Sequence, residues 1–137
     1  MGREVFDSFA GFDDFLVYLG ISLAYLAVFT AIYIRITPYA EMQLIREGNM
    51  AASFSLSGAI LGFIVPLASA IQHSVSLIDM AIWGLIAMAV QIVAFVVVKL
   101  FIPSITRDIP ENKGAQGFFL GSLSLGVGLL NAACMSF

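Results

Sequence analysis

Residues 50–72 read MAASFSLSGAILGFIVPLASAIQ, a stretch without a single charged side chain. As a helix it would rise about 34 Å at 1.5 Å per residue, which is enough to cross the hydrocarbon core of a bilayer. Its small residues recur every three or four positions and therefore share one face of the helix. The stretch predicts a membrane-spanning helix with one face suited to close packing.

Three further segments have the same character. They complete a set of four predicted spans, at about 14–36, 50–72, 79–102 and 115–137. Of the 137 residues, 61% are hydrophobic and only 11% are charged, which is more apolar surface than a water-soluble domain could bury. We expect an all-α membrane protein with four transmembrane helices, in which residues 1–137 form a single transmembrane domain inside the lipid bilayer.

The basic residues predict the orientation of the chain. Five of the six Lys and Arg residues lie in the first and third connections, at about 35–49 and 99–114. Because cytoplasmic loops carry the excess of basic residues, these two connections are predicted to be cytoplasmic and both termini periplasmic. The segment before the first span is acidic, unlike the positive start of a signal peptide, so this span is expected to remain as a helix.

The two halves of the chain, about 12–76 and 77–137, resemble each other weakly at an offset near 64 residues. Matched positions carry the same or a similar residue type, as in Arg35 with Lys99, Pro38 with Pro103, Asn49 with Asn112, and Gly58 with Gly121. Each half holds two spans, so both halves would have the same orientation and form a parallel repeat. Chance similarity is the alternative, since lipid restricts the residue types that a span can use.

The second and fourth predicted spans carry stripes of small residues, each with a GxxxG motif. The glycines expected to pack against other helices are Gly58 and Gly62 in the second span, and Gly117, Gly121 and Gly128 in the fourth. Small residues let helix backbones approach closely where no hydrophobic force drives helices together. Two interpretations stay open: the stripes pack helices within or between protomers, or they line a narrow path.

Polar or kink-forming residues at membrane depth form a second set of candidates. A proline at position 66 cannot donate to the carbonyl of Gly62, which leaves that oxygen free for an ion, a water or a neighbouring hydroxyl. Amide side chains inside a bilayer are expected to face protein or water, because contact with lipid is costly. The candidate pathway residues are Gly62, Pro66, Ser69, Gln91 and Asn131. Hydrogen bonding between helices is the alternative role for their side chains.

The single histidine, His73, continues the small-residue face of the second span to its outer end. It would either sense external pH, since imidazole changes charge at about pH 6.5, or serve as a solvated or capping residue. No charged residue falls well inside a span, and the sequence has no phosphate-binding loop, metal-ligand cluster or catalytic triad pattern. We therefore expect no enzymatic activity, no cofactor, no bound metal and no nucleic-acid partner.

The first connection is predicted to form a short helix at the membrane surface, with Thr37 and Pro38 at its start and Gly48 at its end. Three apolar residues are predicted to lie on one side of it: Tyr39, Met42 and Ile45. Charged residues of the first and third connections are predicted to face the cytoplasm, where a protein partner could dock: Glu41, Arg46, Glu47, Arg107, Asp108 and Glu111.

Several short stretches carry a resemblance to a known family. They are RITP at 35–38, QLI at 43–45, NMAAS at 49–53, SG at 57–58, LG at 61–62, PLAS at 66–69 and NAACM at 131–135. From about residue 12 onwards the chain resembles the YjfL-type family of small bacterial inner-membrane proteins, a family of unknown function. The resemblance implies four spans built from two repeats in the inner (plasma) membrane of a Gram-negative-type cell. Members are often encoded near ATP-grasp proteins similar to glutathionylspermidine synthases, which implies polyamine or envelope-stress biology.

The sequence leaves two functional interpretations open. The first is a small oligomeric channel or transporter for an ion or small solute, with its path between the second and fourth spans or at a protomer interface. Because four helices offer little material to enclose a path, a homo-oligomer is expected, with a dimer favoured. The alternative is a non-transporting scaffold that docks a cytoplasmic protein at loops 35–49 and 99–114, in an envelope-stress or polyamine-related pathway.

Overall fold

The structure, a computed structural model, describes residues 9–135 together with Gly2 and Val5. Within 9–135 the regular structure is helical: α1 (Phe12–Ile36), α2 (Glu41–Arg46), α3 (Met50–His73), α4 (Leu77–Phe101), α5 (Ile105–Asp108) and α6 (Gly114–Cys134). The helices α1, α3, α4 and α6 are long and apolar enough to cross a membrane, so the prediction of four spans is confirmed. The predicted end of the last span at 137 lies outside the described residues.

Two spans begin where side chains satisfy free backbone N–H groups. The Asn49 side-chain oxygen accepts a hydrogen bond from the Ala52 N–H at 2.8 Å and so caps α3. The Ser76 hydroxyl accepts from the Asp79 N–H at 3.1 Å, and the Asp79 carboxylate accepts from the Val75 N–H at 3.2 Å. This reciprocal pair starts α4 at Leu77, two residues before the predicted boundary.

The short helix α2 begins later than the sequence predicts. Its N-cap is Ala40, and the Thr37 hydroxyl donates instead to the carbonyl of Ile34 at 2.9 Å. The prediction that Thr37 and Pro38 start this helix is therefore wrong. After α2 the chain turns at Gly48, which has a φ of 86°. Few side chains tolerate that left-handed conformation, which explains a glycine at this point.

The core of the bundle is the contact between α3 and α6. Both helices begin at the end of the molecule where α2 and α5 lie, and they run in the same direction. A Cβ atom added to Gly58 would collide with the backbone of Gly121, and one added to Gly117 would collide with the backbone of Ala51. The two backbones therefore touch directly, which is the arrangement that small residues permit in lipid.

Aromatic rings of α1 pack against both α3 and α4. Phe29 stacks on Phe63 with ring centroids 4.5 Å apart, and Tyr33 meets Phe95 edge to face at 5.3 Å. All four of these rings are buried. The opposite surface of α1 is exposed in the protomer and carries large apolar side chains, as a lipid-facing surface does.

Two asparagines connect the halves of the chain at the α2/α5 end. The Asn49 amide donates to the carbonyl of Ile109 at 2.9 Å and to that of Pro110 at 3.3 Å. In return, the Asn112 side-chain oxygen accepts from the N–H groups of Met50 at 2.8 Å and Ala51 at 3.2 Å. These are the asparagines that the weak internal similarity pairs. A repeat of halves 12–76 and 77–137 stays a prediction.

Candidate functional site

Glu41, the first residue of α2, is fully buried, with 0% of its surface exposed. Leu44 and Ile45 follow it at positions i+3 and i+4, so the three residues share one face of the short helix. That face packs inward against α3, whereas Met42 is 46% exposed. The prediction that Met42 shares one side of this helix with Tyr39 and Ile45 is therefore wrong, and a carboxyl group lies on the buried face instead.

Four side chains form what we call the Glu41 pocket: Tyr33, Tyr39, Glu41 and Ser55. The Ser55 hydroxyl donates to Glu41 Oε1 at 3.3 Å. The other carboxylate oxygen, Oε2, is buried without a hydrogen-bond partner among the residues that the structure describes. The same is true of the hydroxyls of Tyr33 and Tyr39, whose residues are 1% and 8% exposed. The pocket thus gathers oxygen atoms whose hydrogen-bonding capacity is not used.

Burial controls the protonation of this carboxyl group. Loss of hydration raises the pKa of Glu41 to about 8, and the Ser55 hydrogen bond opposes that rise only in part. Burial, and then the negative charge of Glu41, also raise the pKa of Tyr39. No Lys, Arg or His in the described part of the chain forms an ion pair with Glu41. At neutral pH the pocket therefore holds a mostly protonated acid that exchanges its proton close to physiological pH.

The pocket lies below the surface of the bundle and is closed on its deep side. Ser55 is five residues into α3, which puts it about 7.5 Å along the helix from Met50. Tyr33 packs against Phe29 and Phe95, and these buried rings lie next to the pocket on its deep side. The aromatic side chains thus separate the Glu41 pocket from the middle of the spans.

Gly62 and Gln91, two of the predicted pathway residues, meet in the middle of the bundle. The buried Gln91 amide donates to the carbonyls of Ser124 at 3.0 Å and Ala59 at 3.4 Å, while its oxygen has no partner in the described chain. A Cβ on Gly62 would collide with the Gln91 amide nitrogen and the backbone of Ser124. Gln91 therefore connects α3, α4 and α6 by hydrogen bonds, which is the alternative role that the sequence left open.

The carbonyl of Gly62, which Pro66 leaves without a helical donor, faces Gly128 of α6. The space there is so small that any Cβ on Gly128 would collide with this oxygen. A Cα–H group is thus the neighbour of the freed carbonyl. The structure places backbone contact, and no path, between α3 and α6 from Gly58 to Gly62. A path at a protomer interface stays a prediction.

The remaining candidates lie further from the Glu41 pocket. Asn131 is one turn beyond Gly128 on α6, half-buried, and its amide nitrogen has no hydrogen-bond partner within residues 9–135. At the far end of α3, Ser69 is half-buried and the exposed His73 ring nitrogen Nδ1 lies 2.9 Å from the Ser69 carbonyl oxygen. The structure therefore spreads these candidates along the bundle and does not gather them into one site.

The predicted docking charges divide into two groups. Glu41 and Asp108 are buried, at 0% and 4% exposure, so the prediction that they present charge to a partner is wrong. Asp108 instead pairs with Lys113, whose Nζ lies 3.4 Å from the carboxylate. The exposed members of the set are Arg46, Glu47, Arg107 and Glu111.

On the lipid side, α4 and α6 leave a groove of about 490 Å³. It is lined almost entirely by aliphatic and aromatic side chains, among them Val97, Phe101 and Leu123. Its surface has the character of a bilayer-facing groove and offers no polar cluster.

The four spans and the interior polar residues define an integral membrane protein built as a small helical bundle. The chain belongs to the family described as Domain of Unknown Function (DUF350), whose model matches residues 7–135. The predicted resemblance to YjfL-type proteins is confirmed.

Two curated relatives illustrate the similarity. The chain is 39% identical over 133 residues to the UPF0719 inner membrane protein YjfL of Escherichia coli (strain K12), covering 97% of this chain and 98% of that protein. It is 25% identical over 126 residues to the UPF0719 transmembrane protein YshE of Bacillus subtilis (strain 168), covering 88% and 91%. No solved structure matches the chain.

Proposed function

We propose that this protein is a small oligomeric transporter or channel that carries an ion across the inner membrane, with Glu41 as its ion-binding group. The observation that carries the proposal is the full burial of Glu41 without a cationic partner in the described chain. Burying an ionisable group costs free energy, and such groups in membrane proteins mark ion or proton pathways. A purely structural position would be filled at lower cost by an apolar side chain.

Polar groups continue from the pocket along α3, which supports a route that follows this helix. Ser55 at the pocket is followed by the Ala59 carbonyl, which Gln91 contacts, and then by Ser69 near the far end. Positions 55, 59 and 69, which are four and then ten residues apart, lie on one side of the helix. The buried aromatic rings beside the pocket interrupt this series, and we assign the structure to a conformation closed on that side.

The proposed assembly follows the sequence-based expectations. The excess of basic residues in the first and third connections supports a cytoplasmic Glu41 pocket and periplasmic termini. The exchange of hydrogen bonds by Asn49 and Asn112 supports two parallel halves. We propose a homodimer, because a four-helix protomer whose α3 and α6 touch directly has no room between them for a route. Nothing in this proposal requires enzymatic chemistry.

The test is ion flux into liposomes that contain the purified protein. Parent protein and the Glu47→Gln variant, which removes an exposed charge one residue after α2, should both conduct, whereas Glu41→Gln should lose most of the flux. Glutamine keeps the size of the side chain and removes the charge. Flux of protons, sodium and potassium that is equal in all three proteins would contradict the role of Glu41. Absence of flux in the folded parent would contradict transport.

A scaffold is the second proposed function, motivated by four exposed charges at the α2/α5 end: Arg46, Glu47, Arg107 and Glu111. They lie on the two connections that the positive-inside rule assigns to the cytoplasm. Reversal of Arg46 and Arg107 to Glu should then release a protein that co-purifies from native membranes. Co-purification that is unchanged by the double reversal would count against docking at this surface.

A further inference from the structure

The Glu41 pocket has a ligand chemistry that can be read from its atoms. Its free groups are Glu41 Oε2 and the hydroxyls of Tyr33 and Tyr39, and Ser55 adds a hydroxyl oxygen already directed at the carboxylate. All of these donors are oxygen atoms, and hard cations prefer oxygen ligands over nitrogen or sulfur. They come from α1, α2, α3 and the loop between α1 and α2, so a ligand held by them would tie these elements together.

The charge of the pocket selects the valence of the cation. Tyr33, Tyr39 and Glu41 are the titratable groups of the pocket, and a tyrosine hydroxyl is neutral at physiological pH because its ordinary pKa is about 10. Burial raises the pKa of Tyr39 further. The other buried acid among the described residues, Asp108, is paired with Lys113. A single carboxylate therefore neutralises one positive charge. A divalent ion would keep an uncompensated charge in a buried site, which is costly.

We propose that the Glu41 pocket binds a monovalent metal cation of the sodium or potassium type, in exchange for the proton of the Glu41 carboxyl group. The proposal rests on the proposed function, since it names the ion that the same group would carry. One cation enters as one O–H bond breaks and one proton leaves to solvent, so the charge of the pocket is the same before and after. Ser55, Tyr33 and Tyr39 supply neutral oxygen ligands that replace water around the cation.

Competition between cation and proton sets the pH dependence. With the pKa of Glu41 raised to about 8 by burial, the carboxyl must lose its proton before it can accept a cation. The apparent dissociation constant should therefore rise about tenfold for each pH unit below 8 and level off above it. At pH 7 cation binding should release close to one proton per chain, and at pH 9.5 it should release almost none.

The experiment measures proton release from purified protein in lipid nanodiscs at pH 7 in weak buffer. Sodium chloride, potassium chloride and choline chloride are added in turn, and a pH-sensitive dye reports the protons. Saturable release with sodium or potassium, and none with choline, is expected for the parent and for Glu47→Gln. Glu41→Gln should release none, and Tyr39→Phe should need a higher cation concentration. Tyr39→Phe keeps the carboxyl group, so it tests the site even where Glu41→Gln does not fold.

Several results would overturn the inference. These are no saturable release from folded parent protein, equal release from Glu41→Gln and parent, or a response to calcium at lower concentration than to sodium and potassium. The outcome is independent of transport. Binding without flux would remove the transport proposal and leave this site, whereas flux of another ion without cation-driven proton release would remove this site and leave transport.

Discussion

At the scale of single residues, Glu41 combines two properties that are rarely compatible, full burial and a carboxylate oxygen without a partner in the described chain. At neutral pH the carboxyl group keeps its proton and so avoids an uncompensated buried charge, since burial raises its pKa to about 8. The carboxyl group then becomes negatively charged only when the pH rises or a cation compensates for the charge. This makes Glu41 sensitive both to pH and to cations.

The raised pKa predicts how stability depends on pH. The folded state holds the proton up to about pH 8 and the unfolded chain loses it at about 4.5, so stability should fall as pH rises through that window and level off above it. The slope is at most about 1.4 kcal/mol per pH unit. Thermal unfolding of the purified protein in detergent from pH 5 to pH 9 measures it. Glu41→Gln should lose this component and Glu47→Gln should retain it; identical profiles for all three proteins would disprove the assignment.

The burial of Glu41 was only partly visible in the sequence. Its position three and four residues before Leu44 and Ile45 places it on their face of a short helix, and that signal was available. The prediction assigned it to water because acids in loops are usually hydrated. The hydrogen-bond donor to its carboxylate, Ser55, belongs to another helix, and its approach depends on how the helices pack.

At the scale of helices, the fit between α3 and α6 depends on glycines that face backbone atoms. Gly128→Ala would place a methyl group against the Gly62 carbonyl, whereas Gly126→Ala, two residues away on the same helix, meets open space. The first change should destabilise the protein by about 1–3 kcal/mol through overpacking. The second should be neutral or stabilising by up to about 1 kcal/mol, since alanine favours the helix.

Unfolding of both variants in a denaturing detergent series gives the comparison, with helix content by circular dichroism as the readout. Equal stability of the Gly128 and Gly126 variants would show that α3 and α6 do not touch at this point. A separation of the two helices would also be expected to free the Gln91 amide from the Ser124 carbonyl.

Asn112 combines a backbone and a side-chain role in the connection before α6. It has a φ of 58°, and its oxygen accepts from two N–H groups at the start of α3. Asn112→Gly should lose the two hydrogen bonds to the start of α3 but keep the backbone conformation, which should lower the free energy of unfolding by about 1 kcal/mol. Asn112→Ala should lose the same hydrogen bonds and also strain the left-handed backbone conformation, which should lower the free energy of unfolding by about 1–2 kcal/mol more. The same detergent unfolding assay measures both, and an alanine variant as stable as the glycine variant would exclude the strain.

The spans themselves were predictable because lipid leaves few alternatives. A buried backbone must bond within its own helix, so long apolar segments give the number of spans and their approximate ends directly. The start of α4 differs from the predicted boundary because the Ser76 side chain caps the helix two residues earlier. The stripes identified the contact faces of α3 and α6, but a stripe has the same appearance whether its glycines touch a backbone or border a path. Only the packing of Gly58 and Gly128 distinguishes these cases.

At the scale of the whole molecule, the predicted orientation can be tested with cysteine labelling. The native Cys134 is exposed and is first replaced by Ser. Single cysteines then replace Glu47, Val75 or Glu111, all of which are exposed. In intact spheroplasts a membrane-impermeant maleimide should label the Val75 position alone, and lysis should expose the other two. Labelling of positions 47 and 111 in intact spheroplasts would contradict the predicted orientation and show that these loops face the periplasm.

The most direct test of the central claim, a buried acid at the α2/α5 end, is the infrared titration of Glu41. Spectra of the protein in lipid between pH 5 and pH 10 report the carbonyl stretch of protonated carboxyl groups, and subtraction of the Glu41→Gln spectra isolates this residue. We predict a protonated carboxyl at pH 7 that disappears with a midpoint at about pH 8, shifted to lower pH by sodium or potassium. A carboxylate already ionised at pH 6, with no response to either cation, would contradict the account.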